Sequence, residues 1–252
     1  MPVYTAEALI LRTYKLGEAD RIVVFLTRDR GKKRGVARGA RRPRSRYSGA
    51  LEPMTRAGMA YYERELRDLV RLNYVEPVMS PLSAIGSLGA SAAAFGHVGY
   101  FAELIDEWAP EAHADERLYR LGSAMVDALA AGAPIERLAR YFEYWLLRLQ
   151  GVYPSVSVCP GCGGPLDAGA MMPPRDEMFV CRRCAPSGGG TELSAEAMGF
   201  LKASGRTAPD RVDVLILETR AARELETAHR RLLNAHLDKE LKSVRVLREM
   251  GK

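Results

Sequence analysis

Nowhere in the 252 residues is there a run of about 18 uncharged apolar residues, the length a membrane-spanning helix needs. The opening stretch MPVYTAEALILRTYK has Glu7 inside its apolar part and neither a basic leader nor a small-residue cleavage site, so the chain is expected to be cytoplasmic and away from membranes. Histidine is scarce: His97, His113, His229 and His236 make no HExxH or comparable metal spacing. A GxxxxGK(S/T) phosphate loop and a GxGxxG entry to a βαβ unit are also missing, which argues against an ATP-driven motor and a dinucleotide enzyme. Acidic residues nearly vanish between positions 28 and 46, where RDRGKKRGVARGARRPRSR has ten Lys or Arg and one Asp.

What is present is unevenly placed. Residues 1–78 hold 17 Lys or Arg against 9 Asp or Glu, a net of +8; residues 79–155 hold 5 against 9, and residues 156–252 hold 15 against 13. A positive field confined to the N-terminal third points to an anionic polymer, because each neutralised phosphate releases counterions. A like-charge block is equally readable as a solvated loop, and the choice depends on what surrounds it.

Residues 3–77 read as five short strands. YTAEALILRTY and RIVVFLTR flank a Gly17 turn, KKRGVARGA supplies a third strand, ARRPRSRYSG is a loop, and LEPMTRAGMAYY and LRDLVRLNYVEP supply the last two. Five strands with glycine-marked bends in so short a span fit a closed OB-type β-barrel, which leaves no exposed edge. The basic residues then lie on the third strand and the loop after it, held by a folded scaffold of the kind that forms single-strand grooves. Tyr47, Tyr61 and Tyr62 are candidates to stack on bases, or else members of the barrel core.

From Ser80 the period becomes helical. Helices are expected within AIGSLGASAAAFGHVGYFAELIDEW, over ERLYRLGSAMVDALAAG, and over IERLARYFEYWLLRLQG, where Leu138, Tyr141, Phe142, Trp145, Leu146 and Leu149 form a core stripe. Ser194 is placed to cap SAEAMGFLKASG, and a last helical region begins near residue 218. The implied organisation is α+β: an OB-fold DNA-binding barrel (1–78), an α-helical domain (79–155 and 191–252) and an inserted ribbon (156–190).

All four cysteines fall in that insertion as Cys159-x2-Cys162 and Cys181-x2-Cys184, separated by eighteen residues. Two such knuckles suit a tetrahedral four-thiolate Zn2+ site, one per chain. With no position left for water, the metal is expected to be structural, bracing a ribbon that has no core of its own. Arg182 and Arg183 are candidate phosphate contacts or a solvated knuckle tip.

The strand pair YTAEALILRTYKLGEADRIVVFLTRDRG leading into GVARGARRPRSRY, the helical FGHVGYFAELID, the CPGCG to CRRC site and the closing HLDKELKSVRVLREM with Leu241-Lys242-Ser243 together resemble the bacterial DNA repair protein family RecO. That resemblance implies a recombination mediator of the RecF pathway without catalytic activity. Such a protein binds single- and double-stranded DNA, engages the acidic C-terminal tail of SSB, anneals complementary strands, and with RecR loads RecA onto SSB-coated DNA, a nucleoid-associated role. It puts Lys32, Lys33, Arg34, Arg38, Arg41, Arg42, Arg44 and Arg46 on the DNA surface, with Tyr47 beside them. The cations available to an SSB-tail pocket in the helical domain are Arg117, Arg120, Arg137, Arg140 and Arg148. Two other readings stay open from the residues alone: an RNA-binding or transcription-associated module of barrel plus ribbon, and an enzyme with an unrecognised acidic site.

Overall fold

A computed structural model describes residues 2–63, 68–87, 92–237 and 239–250. Leu66 and Arg67, expected to start the fifth strand, and residues 88–91, within an expected helix, lie outside the described residues. The strands are β1 (Val3–Leu16), β2 (Asp20–Thr27), β3 (Gly31–Ala37), β4 (Arg56–Tyr62), β5 (Leu69–Met79), β6 (Ala170–Met172) and β7 (Thr191–Leu193). The α-helices are α1 (Pro81–Ser87), α2 (Ala92–Trp108), α3 (Glu116–Ala130), α4 (Ile135–Leu149), α5 (Ala195–Ser204), α6 (Thr219–His236) and α7 (Lys242–Met250).

The first five strands close into a barrel in the order β1-β2-β3-β5-β4, antiparallel except for the β3–β5 pair, and the OB-type expectation holds. Two expected boundaries move: β3 stops at Ala37, and β4 starts only at Arg56 because residues 51–54 form turns. Ala8, Ile10, Val23, Phe25, Tyr61, Val70 and Leu72 fill the interior. The intervening Leu9, Val24 and Leu26 are equally buried, which is why β2 reads as a continuous apolar run and not as an alternation. This second buried layer meets helices: α2 and α3 pack on β1, and at Gly122 a side chain would begin 2.6 Å from Leu9 Cδ1. Glycine permits that approach.

The chain divides into two compact units, Met1–Gly132 with Leu241–Lys252, and Ala133–Glu240. This differs from a separate barrel and a single helical domain. α1, α2, α3 and α7 belong with the barrel: α2 and α3 pack on the apolar outer face of β1, and α1 and α7 pack on those two helices. The final helical region is also broken, at Leu237, where the backbone turns extended. α7 returns to α2, where the Glu103 carboxylate accepts from Lys242 N, Ser243 N and Ser243 Oγ (3.1, 2.8 and 2.5 Å). The LKS motif is thus a helix start closed by a side chain of the same unit.

In the second unit, the stripe on α4 is core as expected, with Leu138, Tyr141, Phe142 and Leu146 buried. Behind it runs a buried polar chain: Tyr153 donates to His229 Nε2 (2.7 Å), His229 Nδ1 donates to Glu143 (2.8 Å), and Arg140 pairs with the same carboxylate at 3.1 Å. Burial lowers the His229 pKa against the opposing pull of Glu143, so the ring is the neutral Nδ1–H tautomer in this network. Ser194 caps α5 by accepting from Ala197 N at 3.2 Å.

Candidate nucleic-acid interface and metal centre

The basic loop is built and held down. From Arg38 to Met54 it is a succession of turns, with Arg42 N donating to Gly39 O, Ser45 N to Arg42 O and Ser48 N to Ser45 O, each at 3.1 Å. Three contacts fix it to the β1–β2 turn: Arg41 N to Ala19 O (2.9 Å), Arg41 Nη1 to Gly17 O (2.6 Å) and Gly39 N to Asp20 Oδ1 (2.8 Å). Arg44 takes a left-handed backbone (φ 59°), which costs a non-glycine residue about 1 kcal/mol.

Tyr47 is the loop's anchor. It is 3% exposed within the barrel core, and its hydroxyl donates to Leu72 O at 3.2 Å. Its ring is therefore closed to stacking, as is that of Tyr61, which is fully buried. Tyr47 instead presents its neighbours: the Arg46 guanidinium lies 5.0 Å from its ring centroid and donates to its hydroxyl.

The eight expected DNA-binding cations separate into two groups. On β3, Lys32 is buried, donates to Asp106 O (2.6 Å), and lies 3.4 and 3.5 Å from the Asp106 and Glu111 carboxylates. Lys33 pairs with Glu63 at 2.7 Å, and Arg34 with Glu111 at 2.9 Å. Lys32 is therefore corrected from a DNA contact to a buried structural cation, while Lys33 and the exposed Arg34 are paired with carboxylates of the same unit. The cause lies in the backbone: Lys32 N donates to Pro110 O and Ala112 N to Lys32 O, so residues 110–112 run along β3 and bring Glu111 with them.

Arg38, Arg41, Arg42, Arg44 and Arg46 are the second group. All are exposed, and among the described residues no carboxylate lies within ion-pair distance of any of them. Two further cations adjoin them that sequence reasoning missed. Arg21 faces both Ala37 and Lys15 in the sheet register, placing Lys15 and Arg21 at the end of the barrel where Arg41 docks. Nothing in the local sequence marks them; the register does.

The cysteine centre is assembled as its spacing implies. The four Sγ atoms lie within 4.8 Å of one another, with Cys162 and Cys181 3.6 Å apart. A tetrahedral zinc-thiolate site has sulfur–sulfur edges of about 3.8 Å, so this donor set fits that metal. Each knuckle is closed by backbone: Gly163 N donates to Cys159 O and Cys159 N to Gly164 O (both 2.8 Å), and Cys184 N donates to Cys181 O (3.0 Å). Cys181 N donates to Cys159 Sγ, and that contact leads in lowering the Cys159 thiol to about 6. Cys184 is pushed up to about 12 by the neighbouring sulfurs, Cys162 first. Such crowding of thiolate charge is what a bound cation relieves. Arg183 reaches toward Cys162 Sγ (4.0 Å), so that cation belongs to the metal centre.

The ribbon has more support than its sequence suggests. Leu166, Met172, Phe179 and Leu193 are buried, and the Phe179 ring packs on Tyr153 with centroids 6.0 Å apart, so the ribbon's apolar residues are covered together with the helical part of the unit. Arg231 on α6 donates to Met172 O (3.0 Å), Thr191 Oγ1 (3.1 Å), Asp176 O (3.2 Å) and Pro173 O, clamping both strands and the loop between.

Comparison with known proteins accounts for nearly the whole chain. A family model described as recombination protein O N terminal matches residues 1–81, and one described as recombination protein O C terminal matches residues 90–245. The DNA repair protein RecO of Koribacter versatilis (strain Ellin345) is 34% identical over 245 residues, 96% of this chain and 97% of that protein. The protein of that name from Anaeromyxobacter sp. (strain K) is 36% identical over 248 residues, covering 96% and 95%. That from Desulforudis audaxviator (strain MP104C) is 32% identical over 258 residues, covering 100% and 98%.

Proposed function

Because the chain belongs to the recombination protein O family of DNA repair proteins, we propose that it is a non-catalytic recombination mediator that binds single- and double-stranded DNA through Arg38, Arg41, Arg42, Arg44 and Arg46. The observation that carries this is the pinned loop: five exposed arginines with no carboxylate partner among the described residues, on turns anchored by Tyr47. Guanidinium groups hold phosphate without reading sequence, which suits a protein acting at arbitrary gaps. Fixing the loop in advance reduces the ordering cost of binding.

In this reading the protein engages the acidic C-terminal tail of SSB, anneals complementary strands, and with RecR promotes RecA loading. Of the cations considered for the tail, Arg140 is buried against Glu143, and Arg137 donates to Asp213 O at 2.6 Å. Arg117 and Arg120 are exposed on α3 in the first unit. Arg148 lies over the half-buried Trp145 at 5.3 Å, a cation beside an aromatic surface that suits an acidic peptide with an apolar end. A Zn2+ ion at the four cysteines, one per chain, would be structural.

Annealing of SSB-coated complementary oligonucleotides tests the assignment. Wild-type protein is expected to accelerate it, and replacement of the five loop arginines by Ala to abolish the acceleration. Equal acceleration by both proteins would refute the loop as the working surface.

A further inference from the structure

The proposed interface has a second component that the arginines do not explain. The register aligns Tyr14 with Ile22, Ile22 with Val36, and Val36 with Arg71 in one row across four strands. Val23 and Phe25 point into the core, and a side chain at Gly35 would meet Leu72 and Val70 at 2.9–3.0 Å, so this intervening row faces outward. One pair toward the helices, the same face is covered and Val24 is fully buried. At the row the cover ends: Tyr14 is 44% exposed, Ile22 and Val36 are half-buried, and Arg71 is exposed. Strands about 4.8 Å apart make it about 14 Å long, room for a few unstacked nucleotides.

We propose that this row is a base-stacking platform for unpaired nucleotides, with Tyr14 as its aromatic plate; the inference rests on the DNA-binding reading above and adds to it a preference for single strands. The plate is braced. The Arg12 guanidinium sits 5.1 Å from the Tyr14 ring centroid and is itself held by Asp106 at 2.5 Å. Ile22 and Val36 give an apolar floor, and β3 runs from Val36 through Ala37 directly into Arg38, the first loop arginine. Bases lying on the row would thus have their phosphates beside the guanidinium groups, the pairing of aromatic surface and cationic track that single-strand sites use. Duplex DNA has no free base faces to offer. The arginines therefore engage both forms, and Tyr14 only the unpaired one.

The test uses the full chain with Tyr14→Ala, Tyr14→Phe and the five-arginine variant, each titrated against a single-stranded oligonucleotide and a duplex of equal length. Tyr14→Ala is expected to weaken single-strand binding about 5- to 150-fold, the range for loss of one stacked base. Duplex binding should stay within about twofold and the salt dependence should not change, because stacking releases no counterions. Tyr14→Phe, which keeps the plate, should match wild type. Unchanged single-strand binding in Tyr14→Ala, or an equal loss on duplex, would overturn the platform. Wild-type binding by the five-arginine variant would instead sink the reading beneath it, and the single-strand loss in Tyr14→Ala would still decide the platform.

Discussion

Replacing Asp106 with Ala is expected to destabilise the barrel unit by about 3 kcal/mol, the low end for a broken buried pair, because it leaves a buried ammonium without its buried counter-charge. Asp106 is 2% exposed on α2 and lies between Arg12 of β1 and Lys32 of β3, at 2.5 and 3.4 Å. Its carboxylate oxygens are within ionic distance but not aligned as hydrogen bonds, so the pairing is mainly electrostatic. Arg12 is partly exposed and can rehydrate, whereas Lys32 is buried and keeps the backbone Asp106 O at 2.6 Å and, as counter-charge, only the exposed Glu111 at 3.5 Å. Lys32 therefore sets the cost. Replacing both members, Asp106→Leu with Lys32→Met, should recover most of the loss, since well-packed apolar pairs substitute for buried ion pairs at little cost. Urea denaturation of the full chain measures both effects, and a single-variant change under about 0.5 kcal/mol would contradict this view of how α2 is joined to the barrel.

Cys159→Ser should take bound zinc from one ion per chain to none and open the two knuckles, residues 158–165 and 181–184, while leaving β6, β7 and α6 folded. The effect on the metal is expected to be large because four thiolates would share one ion and Cys159, the buried member, would supply a ligand whose thiolate is already favoured by Cys181 N–H. The effect on the fold is confined because Arg231 grips Met172 O, Thr191 Oγ1 and Asp176 O, and Leu166 and Phe179 are buried. Hydrogen exchange read beside metal content separates these outcomes. Zinc retained at one per chain would remove Cys159 from the ligand set, and loss of protection across α6 would show that metal, not Arg231, holds the ribbon.

The four-cysteine cluster and the barrel were legible in sequence because both are local signals: ligand spacing in one case, and in the other short apolar strands broken by turn residues. Pairing across distance was not. Lys32 and Arg34 look like Arg38 and Arg41 until Asp106 and Glu111 arrive from more than 70 residues away, so charge density alone could not tell structural cations from available ones. Tyr47 and Tyr14 show the same limit in aromatics: the tyrosine beside the basic run anchors the loop from inside, and the one at the hairpin end is exposed. The two compact units divide the chain otherwise than the expected domains do, for a related reason. The unbroken apolar run IVVFL on β2, with Val24 and Leu26 buried, was the available sign that a second layer covers the barrel.

The central claim, that the arginines of the pinned loop take the phosphates, is tested most directly by the salt dependence of single-strand binding. The slope of log affinity against log salt should flatten by roughly 0.7 for each phosphate contact removed, hence by about 3.5 when Arg38, Arg41, Arg42, Arg44 and Arg46 are all replaced by Ala. The Arg34→Ala control should change it by less than about 0.5, since Arg34 is already paired with Glu111. A slope unchanged by the five replacements would contradict the account.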